Sequence, residues 1–494
     1  MPHSVFTGTQ LRALDAHTIE QMGVSSLALM ELAGRAVCED ILAFFSDEAR
    51  HGVWILAGRG NNGGDGFVIA RMLHQKKIPV EIFALSGEST EDCAQMALVV
   101  ERMGIPVHSK WKEGCPGLVV DALFGTGLSR SVEGVAAEWI VKANELSSPV
   151  LAVDIPSGLC ADSGRVLGVG VEADMTVSLG YAKTGQFMES ASQHVGKLRV
   201  ANIGLMGPQS PAAEVVCGQW VADRLPKRAL DAHKGQSGHL AVIAGSREKA
   251  GAAVLACNAA LAAGCGLVTL FIHPDALDRL GQLGPEIMVR PTEHPDAMGL
   301  EDFDALAVGP GFGLGIAQQS QLRALWEAAP LPAVFDADAL TALGARPKSS
   351  VHPRCMTPHP GEAGRLLGCS TQDVQADRQA ALARLTEISP CLLKGRNSLI
   401  GDGGDRFRIN TTGSAALATA GSGDVLTGIV GALLAQGLAR LDALTMGAFL
   451  HGWAAERVGR GYLAASELYV DLGSAMATVA ERDTVLPTRS LIGP

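Results

Sequence analysis

Short apolar runs alternate with helix-length segments along nearly all of the 494 residues. This pattern limits the fold sharply. Strands that are apolar on both faces must be covered on both sides, and helices between them supply the cover, which gives a parallel α/β sheet. In the first half it predicts helices at Leu11–Gly23, Ser25–Phe45, Asp65–Gln75, Cys93–Met103 and Ala136–Leu146. Strands are predicted at Val53–Ala57, Val80–Leu85, Leu118–Ala122, Pro149–Val153 and Met175–Leu179. The alternation fades over Met206–Pro226, which holds three prolines and is the best linker, with Val215–Trp220 left open as an edge strand. It resumes with strands at Leu240–Ala244, Leu267–Ile272, Ala305–Val308, Ala333–Phe335 and Cys391–Lys394, and with long helices beginning near Asp424 and Asp442. Two domains are therefore expected, 1–215 and 226–494.

Composition narrows the function. Hydrophobic residues at 47% let each domain bury a sizeable core. Aromatics are only 4%, too few for a base-stacking platform, and 40 Lys+Arg against 51 Asp+Glu give a net charge of −11. Nucleic-acid partners are not expected. The ten cysteines stand singly, away from zinc spacing, as buried thiols of a reducing cytoplasm do. The N-terminus lacks a basic head followed by an apolar stretch, so no secretory signal is expected. Gly251–Ile272 is uncharged and long enough to span a bilayer. Asn258, Gly264 and Gly266 interrupt it, however, and it is read as a buried alanine-rich helix, a glycine turn and a core strand.

Val53–Ala57 runs into Gly58-Arg59-Gly60-Asn61-Asn62-Gly63-Gly64-Asp65-Gly66, a GxGxxG pattern in strand–turn–helix context. Such glycines let backbone amides approach a phosphate at a helix N-terminus. Glu81 lies about where a ribose-binding acid would sit, so a plain dinucleotide dehydrogenase stays open. Three further segments fall at predicted strand ends: Asp121–Ser131 (DALFGTGLSRS), Asp154–Gly158 (DIPSG) and Gly180–Gly185 (GYAKTG). Strand ends converge on the ligand crevice of an open parallel sheet. Their carboxylates and amides could share a hard cation, or Asp121 and Asp154 could simply cap turns.

GRGNNGGDG, VVDALFGTGLSR and AVDIPSGLCADSG resemble the NAD(P)H-hydrate epimerase family, the YjeF N-terminal domain, across most of 1–215. The resemblance implies a Rossmann-like three-layer domain. It implies that Asn61, Asn62, Gly63, Gly64 and Asp65, together with Gly125, Thr126, Gly127, Leu128, Ser129, Arg130 and Ser131, contact the hydrated dinucleotide. Asn62, Asp121 and Ser157 would bind K⁺. Asp154 would stand at the reacting ring as acid/base, with Lys183 facing the same cleft. Epimerisation at a hydroxyl-bearing ring carbon needs reversible bond breaking, and a positioned carboxylate can shuttle the proton.

In the second half, Gly421-Ser422-Gly423-Asp424 precedes a long apolar helix. Its amides would form an anion hole, and Asp424 could take a proton from a hydroxyl attacking phosphorus. The bland reading is a helix cap. With His233-Lys234-Gly235, Gly309-Pro310-Gly311-Phe312-Gly313, Asp336-Ala337-Asp338-Ala339-Leu340, Thr357-Pro358-His359-Pro360-Gly361-Glu362 and Lys394-Gly395-Arg396 in this order, the chain resembles the ribokinase-like superfamily. More narrowly it resembles the ADP-dependent NAD(P)H-hydrate dehydratases, the YjeF C-terminal domain, over about 226–494. The resemblance implies that Lys394, Gly395, Arg396, Asn397, Ser398 and Gly423 hold ADP, with Mg²⁺. Ala253, Gly311, His359 and Asp424 would contact the hydrated cofactor, with Asp424 as base. Ser414 stands where the family carries asparagine.

The whole chain thus resembles the fused repair enzymes for hydrated NADH and NADPH, an isomerase joined to a lyase. The resemblance implies a soluble homo-oligomer with no membrane anchor. Two rivals stay open: a ribokinase-like small-molecule kinase with an accessory domain, and a dinucleotide-binding scaffold without turnover.

Overall fold

The computed structural model describes residues 3–227, 234–479 and 488–490. His233 of the His-Lys-Gly segment therefore lies outside the described residues. The chain forms two compact units, one holding 4–213 and the other 214–484.

In the first unit, helices α1 (Gly8–Glu20) and α2 (Ser26–Phe44) precede the sheet. Strands β1 (Val53–Ala57), β2 (Val80–Ala84), β3 (Val107–His108), β4 (Leu118–Ala122), β5 (Val150–Val153), β6 (Met175–Leu179) and β7 (Lys197–Asn202) follow. Between them run α3 (Asn61–Gln75), α4 (Glu91–Arg102) and α5 (Gly134–Glu145). The strands are parallel in the order β7-β6-β5-β4-β1-β2-β3, with Thr488–Ser490 beyond β7. β1, β4, β5 and β6 are buried at every position, which suits the apolar runs of β1 and β5 and takes Asp121 of β4 and Thr176 and Ser178 of β6 inside with them. The order reverses between β1 and β4, which opens a crevice at their C-terminal ends.

The second unit contains β8 (His239–Ile243), α6 (Ala250–Ala262), β9 (Leu267–Ile272), β10 (Met288–Pro291), β11 (Ala305–Val308), β12 (Ala333–Phe335), β13 (Arg354–Met356) and β14 (Cys391–Leu393). The hairpin β15 (Ser398–Gly401) and β16 (Phe407–Asn410) follows, then α7 (Ser422–Ala435), α8 (Arg440–Val458) and α9 (Ala465–Ala477). The order is β10-β9-β8-β11-β12-β13-β14-β15-β16, parallel except for the last two pairings. The uncharged Gly251–Ile272 segment is the helix α6, a turn and the strand β9. Ala253, Ala256 and Ala260 of α6 join Val425 and Ile429 of α7 in one core, where small side chains let the helices approach closely. Among the described residues no helix is long and apolar enough to cross a membrane.

Two expectations change. The first-half helix begins at Asn61, not Asp65, so Asn61, Asn62, Gly63, Gly64 and Asp65 form its opening turns rather than a loop. A segment holding two asparagines and three glycines has low helix propensity, but its burial overrides that. The expected linker is also ordered. It holds a strand at Ala213–Val215 and a helix at Gly218–Ala222, so Val215–Trp220 is not an edge strand.

Candidate active sites

In the first unit β5 delivers Asp154 into the crevice with a left-handed backbone, φ +70°. A non-glycine residue there costs about 1–3 kcal/mol, and aspartate is among the few that tolerate it. The conformation is held by several bonds. The Asp154 amide donates to the Val177 carbonyl at 2.8 Å. Its carbonyl accepts from Gln186 Nε2 at 2.9 Å, and Oδ1 accepts from the Leu179 amide at 3.1 Å. Lys183 Nζ forms a buried ion pair with Asp154 Oδ1 and also donates to Ser178 Oγ at 2.8 Å. Burial pushes Lys183 below its usual value, and the Asp154 carboxylate opposes that shift. Asp154 and Lys183 line a cleft shared with Asn61, Asp65, Thr126 and Asp15. Burial, with Asp154 and Asp15 adding to it, raises Asp65 well above the usual carboxylate range.

One turn deeper sits Asp121, wholly buried at the end of β4. Oδ1 accepts from Ser157 Oγ at 2.6 Å and Oδ2 from the Ser157 amide at 2.7 Å. Burial lifts it to about 6 against those hydrogen bonds. No cation pairs with it among the described residues. The amide Nδ2 of Asn62 is likewise buried without a partner. Gly125 lies between the two sites: a β-carbon placed there would be 3.4 Å from Asp154 Oδ2 and 3.5 Å from Asn62 Cβ. The Asp121 carboxylate, the Ser157 hydroxyl and the Asn62 amide oxygen are donors of the kind a hard cation takes, whereas the unpartnered Asn62 Nδ2 is a hydrogen-bond donor and would hold no cation.

Two glycines of the first motif have a packing role. A β-carbon on Gly58 would collide with the Leu123 carbonyl, and one on Gly63 with the Gly58 carbonyl. Their smallness serves the approach of chain to chain. Gly58→Ala is therefore expected to cost about 1–3 kcal/mol, read as a lowered melting temperature. An unchanged melting temperature would show that the two loops can give way. Glu81 is also reassigned. It lies early on β2, away from the strand end, and pairs with His108 Nε2 at 2.7 Å and with Lys112. The plain dehydrogenase reading thereby loses its ribose acid. The Gly125–Ser131 loop divides: Thr126 faces the Asp154 cleft, whereas Leu128, Arg130 and Ser131 line a neighbouring depression with Arg59. Gly127 and Ser129 are exposed.

In the second unit Asp424 lies in the first turn of α7. Gly421 before it has φ +88°, and a side chain there would strike Leu255. The turn amides face outward without intrahelical partners. Burial raises Asp424 to about 7, with the Asp336 carboxylate adding and Lys394 opposing. Lys394 Nζ donates to Asp336 Oδ1 at 2.9 Å, and Thr427 Oγ1 donates to Asp336 Oδ2 at 2.7 Å. Burial works to lower Lys394, but Asp336 and Glu362 outweigh it and hold the ammonium above its usual value. Glu362 is itself raised to about 7, by burial first and then by Asp336. His359 caps the helix Pro360–Leu367, accepting from the Gly361 amide at 3.0 Å, and burial and Lys394 lower its value. A cleft beside Lys394 is lined by Gly395, Arg396, Ser398, Gly423 and Ser414, with Asn397 half-buried in the same turn. Gly311 packs against Lys249, whose ammonium meets Asp338 at 3.1 Å. Ala253 is wholly buried, beside Gly245.

Among the described residues no group of three or more His, Cys, Asp or Glu side chains is placed to hold a metal. Asp336 and Asp338 are already engaged by lysines. Such a site suits Mg²⁺ that arrives on nucleotide phosphates and keeps its own waters.

The family model described as YjeF-related protein N-terminus matches residues 26–185, and that described as NAD(P)H-hydrate dehydratase matches 240–475. The chain is 36% identical to the bifunctional NAD(P)H-hydrate repair enzyme of Moorella thermoacetica, over 92% of each chain. This chain belongs to the bifunctional NAD(P)H-hydrate repair enzyme family. The Escherichia coli family member is 34% identical, over 97% of this chain and 94% of its own. A ribokinase-like superfamily protein from Enterococcus faecalis superposes with a TM-score of 0.50 at 24% identity, over 56% of this chain and 99% of that one. That likeness shows the fold.

Several residues around the two clefts carry no local signal. Asp15 comes from an ordinary amphipathic helix. Thr427 and Arg378 look like any helical residues, yet Arg378 Nη2 donates to the Leu393 carbonyl at 3.2 Å and steadies the strand end that carries Lys394. Only the tertiary fold places them.

Proposed function

We propose that the two units divide a repair reaction between them. The first interconverts the R and S epimers of hydrated NADH and NADPH. The second dehydrates the S form with ADP, giving the reduced cofactor, AMP and phosphate. The observation that carries this reading is Asp424: a carboxylate raised to about 7 in a glycine-bounded helix turn, beside a half-buried lysine. A base near neutrality suits proton removal at physiological pH. Hydroxide is a poor leaving group and phosphate a good one. Asp424 takes the proton of the ring hydroxyl as its oxygen attacks the β-phosphate, while Lys394 and the first-turn amides of α7 hold the developing charge. Elimination of phosphate then restores the ring. Mg²⁺ bound to the nucleotide would neutralise phosphate charge at this point. Lys394, Gly395, Arg396, Asn397, Ser398 and Gly423 would hold ADP, and Ala253, Gly311 and His359 would position the hydrated ring.

In the first unit Asp154 acts at the ring carbon and Lys183 orients it. Asn62, Asp121 and Ser157 would hold K⁺, which supplies a fixed charge beneath the substrate. Asn61–Asp65 and Gly125–Ser131 would seat the dinucleotide. A cytoplasmic setting suits this reading, since all ten cysteines are free and seven are buried. A symmetric homo-oligomer, testable by light scattering, belongs to the same reading.

The deciding experiment is turnover of mixed hydrated NADPH epimers with ADP and Mg²⁺, following the reduced-nicotinamide absorbance. Recovery of both epimers faster than spontaneous epimerisation is expected. Recovery stopping at the S fraction would remove the epimerase role. No recovery with ADP or ATP would move the kinase alternative forward.

A further inference from the structure

A carboxylate in the first cleft takes no part in the proton transfers described above. Asp65 is 7% exposed and lines the same cleft as Asp154 and Lys183. Among the described residues it forms no hydrogen bond or ion pair through its side chain. Asp154, by contrast, is engaged by Lys183 and the Leu179 amide. Two carboxylates in one cleft, one paired with an ammonium and one not, are the arrangement that separates acid from base.

Resting on the epimerase reading, we propose that Asp65 is the general acid that partners Asp154. The step balances without a further reagent. Asp65 gives its proton to the ring hydroxyl, the C–O bond breaks, and water leaves with the bonding pair. The ring-nitrogen lone pair forms the C=N bond of an iminium. A water on the opposite face then adds its oxygen to that carbon and yields its proton to the Asp154 carboxylate, while the C=N pair returns to nitrogen. In the reverse direction Asp154 is the acid and Asp65 the base, so the pair shares one proton in either direction. Burial and the neighbouring carboxylates favour the protonated form of Asp65. The other groups around it are Asp15 and Arg12 of α1, which line the same cleft, and Cys93 of α4. Asp15 is itself raised, by burial and by Asp154, and where it is ionised its charge helps to keep the proton on Asp65.

The test uses the full chain and the R epimer without ADP, so that the second unit is silent, with formation of the S epimer followed by chromatography. Wild type is expected to show a bell-shaped kcat/KM profile whose alkaline limb reports loss of the Asp65 proton. Asp65→Asn is expected to lower kcat/KM by about 10²- to 10⁴-fold and to remove that limb. Asp65→Glu, which keeps the acid, is expected to retain the limb at a displaced pH. ADP-dependent dehydration of the S epimer should be unchanged in both variants. An Asp65→Asn chain that epimerises within a few-fold of wild type, or slows equally at every pH, overturns the assignment. If Asp65→Asn does not fold, Asp65→Glu decides: an unmoved limb overturns it. A wild-type chain that fails to interconvert the epimers overturns the epimerase reading, and the proposal with it.

Discussion

Asp424→Asn is expected to lower ADP-dependent dehydration by about 10²- to 10⁴-fold while leaving nucleotide binding in place. The same change is expected to make the protein more stable at pH 8. The folded Asp424 titrates at about 7 against an ordinary 3.8, so the folded chain holds that proton more tightly than the unfolded one. The stability this provides is complete below about 4 and is lost as pH rises through about 7. An amide has no charge to bury, so the variant escapes the loss. The gain should be a few degrees in melting temperature at pH 8 and little or nothing at pH 4. Thermal scans at the two pH values, beside single-turnover assays, read both effects. A helix cap alone would behave differently: asparagine caps about as well as aspartate, so neither the rate nor the stability would change much at either pH.

Lys183→Met should be the most destabilising of the changes considered. It leaves the Asp154 carboxylate buried without its ammonium, and breaking a buried ion pair by removing one partner costs about 3–5 kcal/mol. Epimerisation should be lost as well. The double change Lys183→Met with Asp154→Asn removes both charges, and asparagine also tolerates the left-handed backbone at 154. Most of the lost stability should return in the double variant, whereas activity should not. Denaturation of the full chain with each variant separates the two effects. A double variant as unstable as the single one would show that the aliphatic stem and geometry of Lys183 matter, and not its charge.

What the sequence determined is the local and the repetitive. Buried parallel strands are short, mostly apolar and rich in β-branched residues, so β1, β4 and β6 were legible to the residue. Short glycine-rich segments at strand ends marked both sites, because only strand ends of a parallel sheet face a ligand. Asp154, Lys183 and Lys394 were visible for that reason, and Asp424 from the glycine-bounded start of a long apolar helix.

The tertiary structure decided what lies between distant segments. Packing overrode the weak helix propensity of Asn61–Asp65 and turned an expected loop into the opening of α3. It aimed Glu81 at His108 and Lys112 instead of at a ribose. It gave Gly58 and Gly63 the task of letting backbone meet backbone. It brought Asp15, Asp65 and Asp154 from three separate segments into one cleft, and Asp336, Lys394 and Thr427 into one cluster. A side chain's proton affinity depends on burial and on charges a few ångströms away. Those neighbours lie tens of residues off along the chain, so no local pattern carries them.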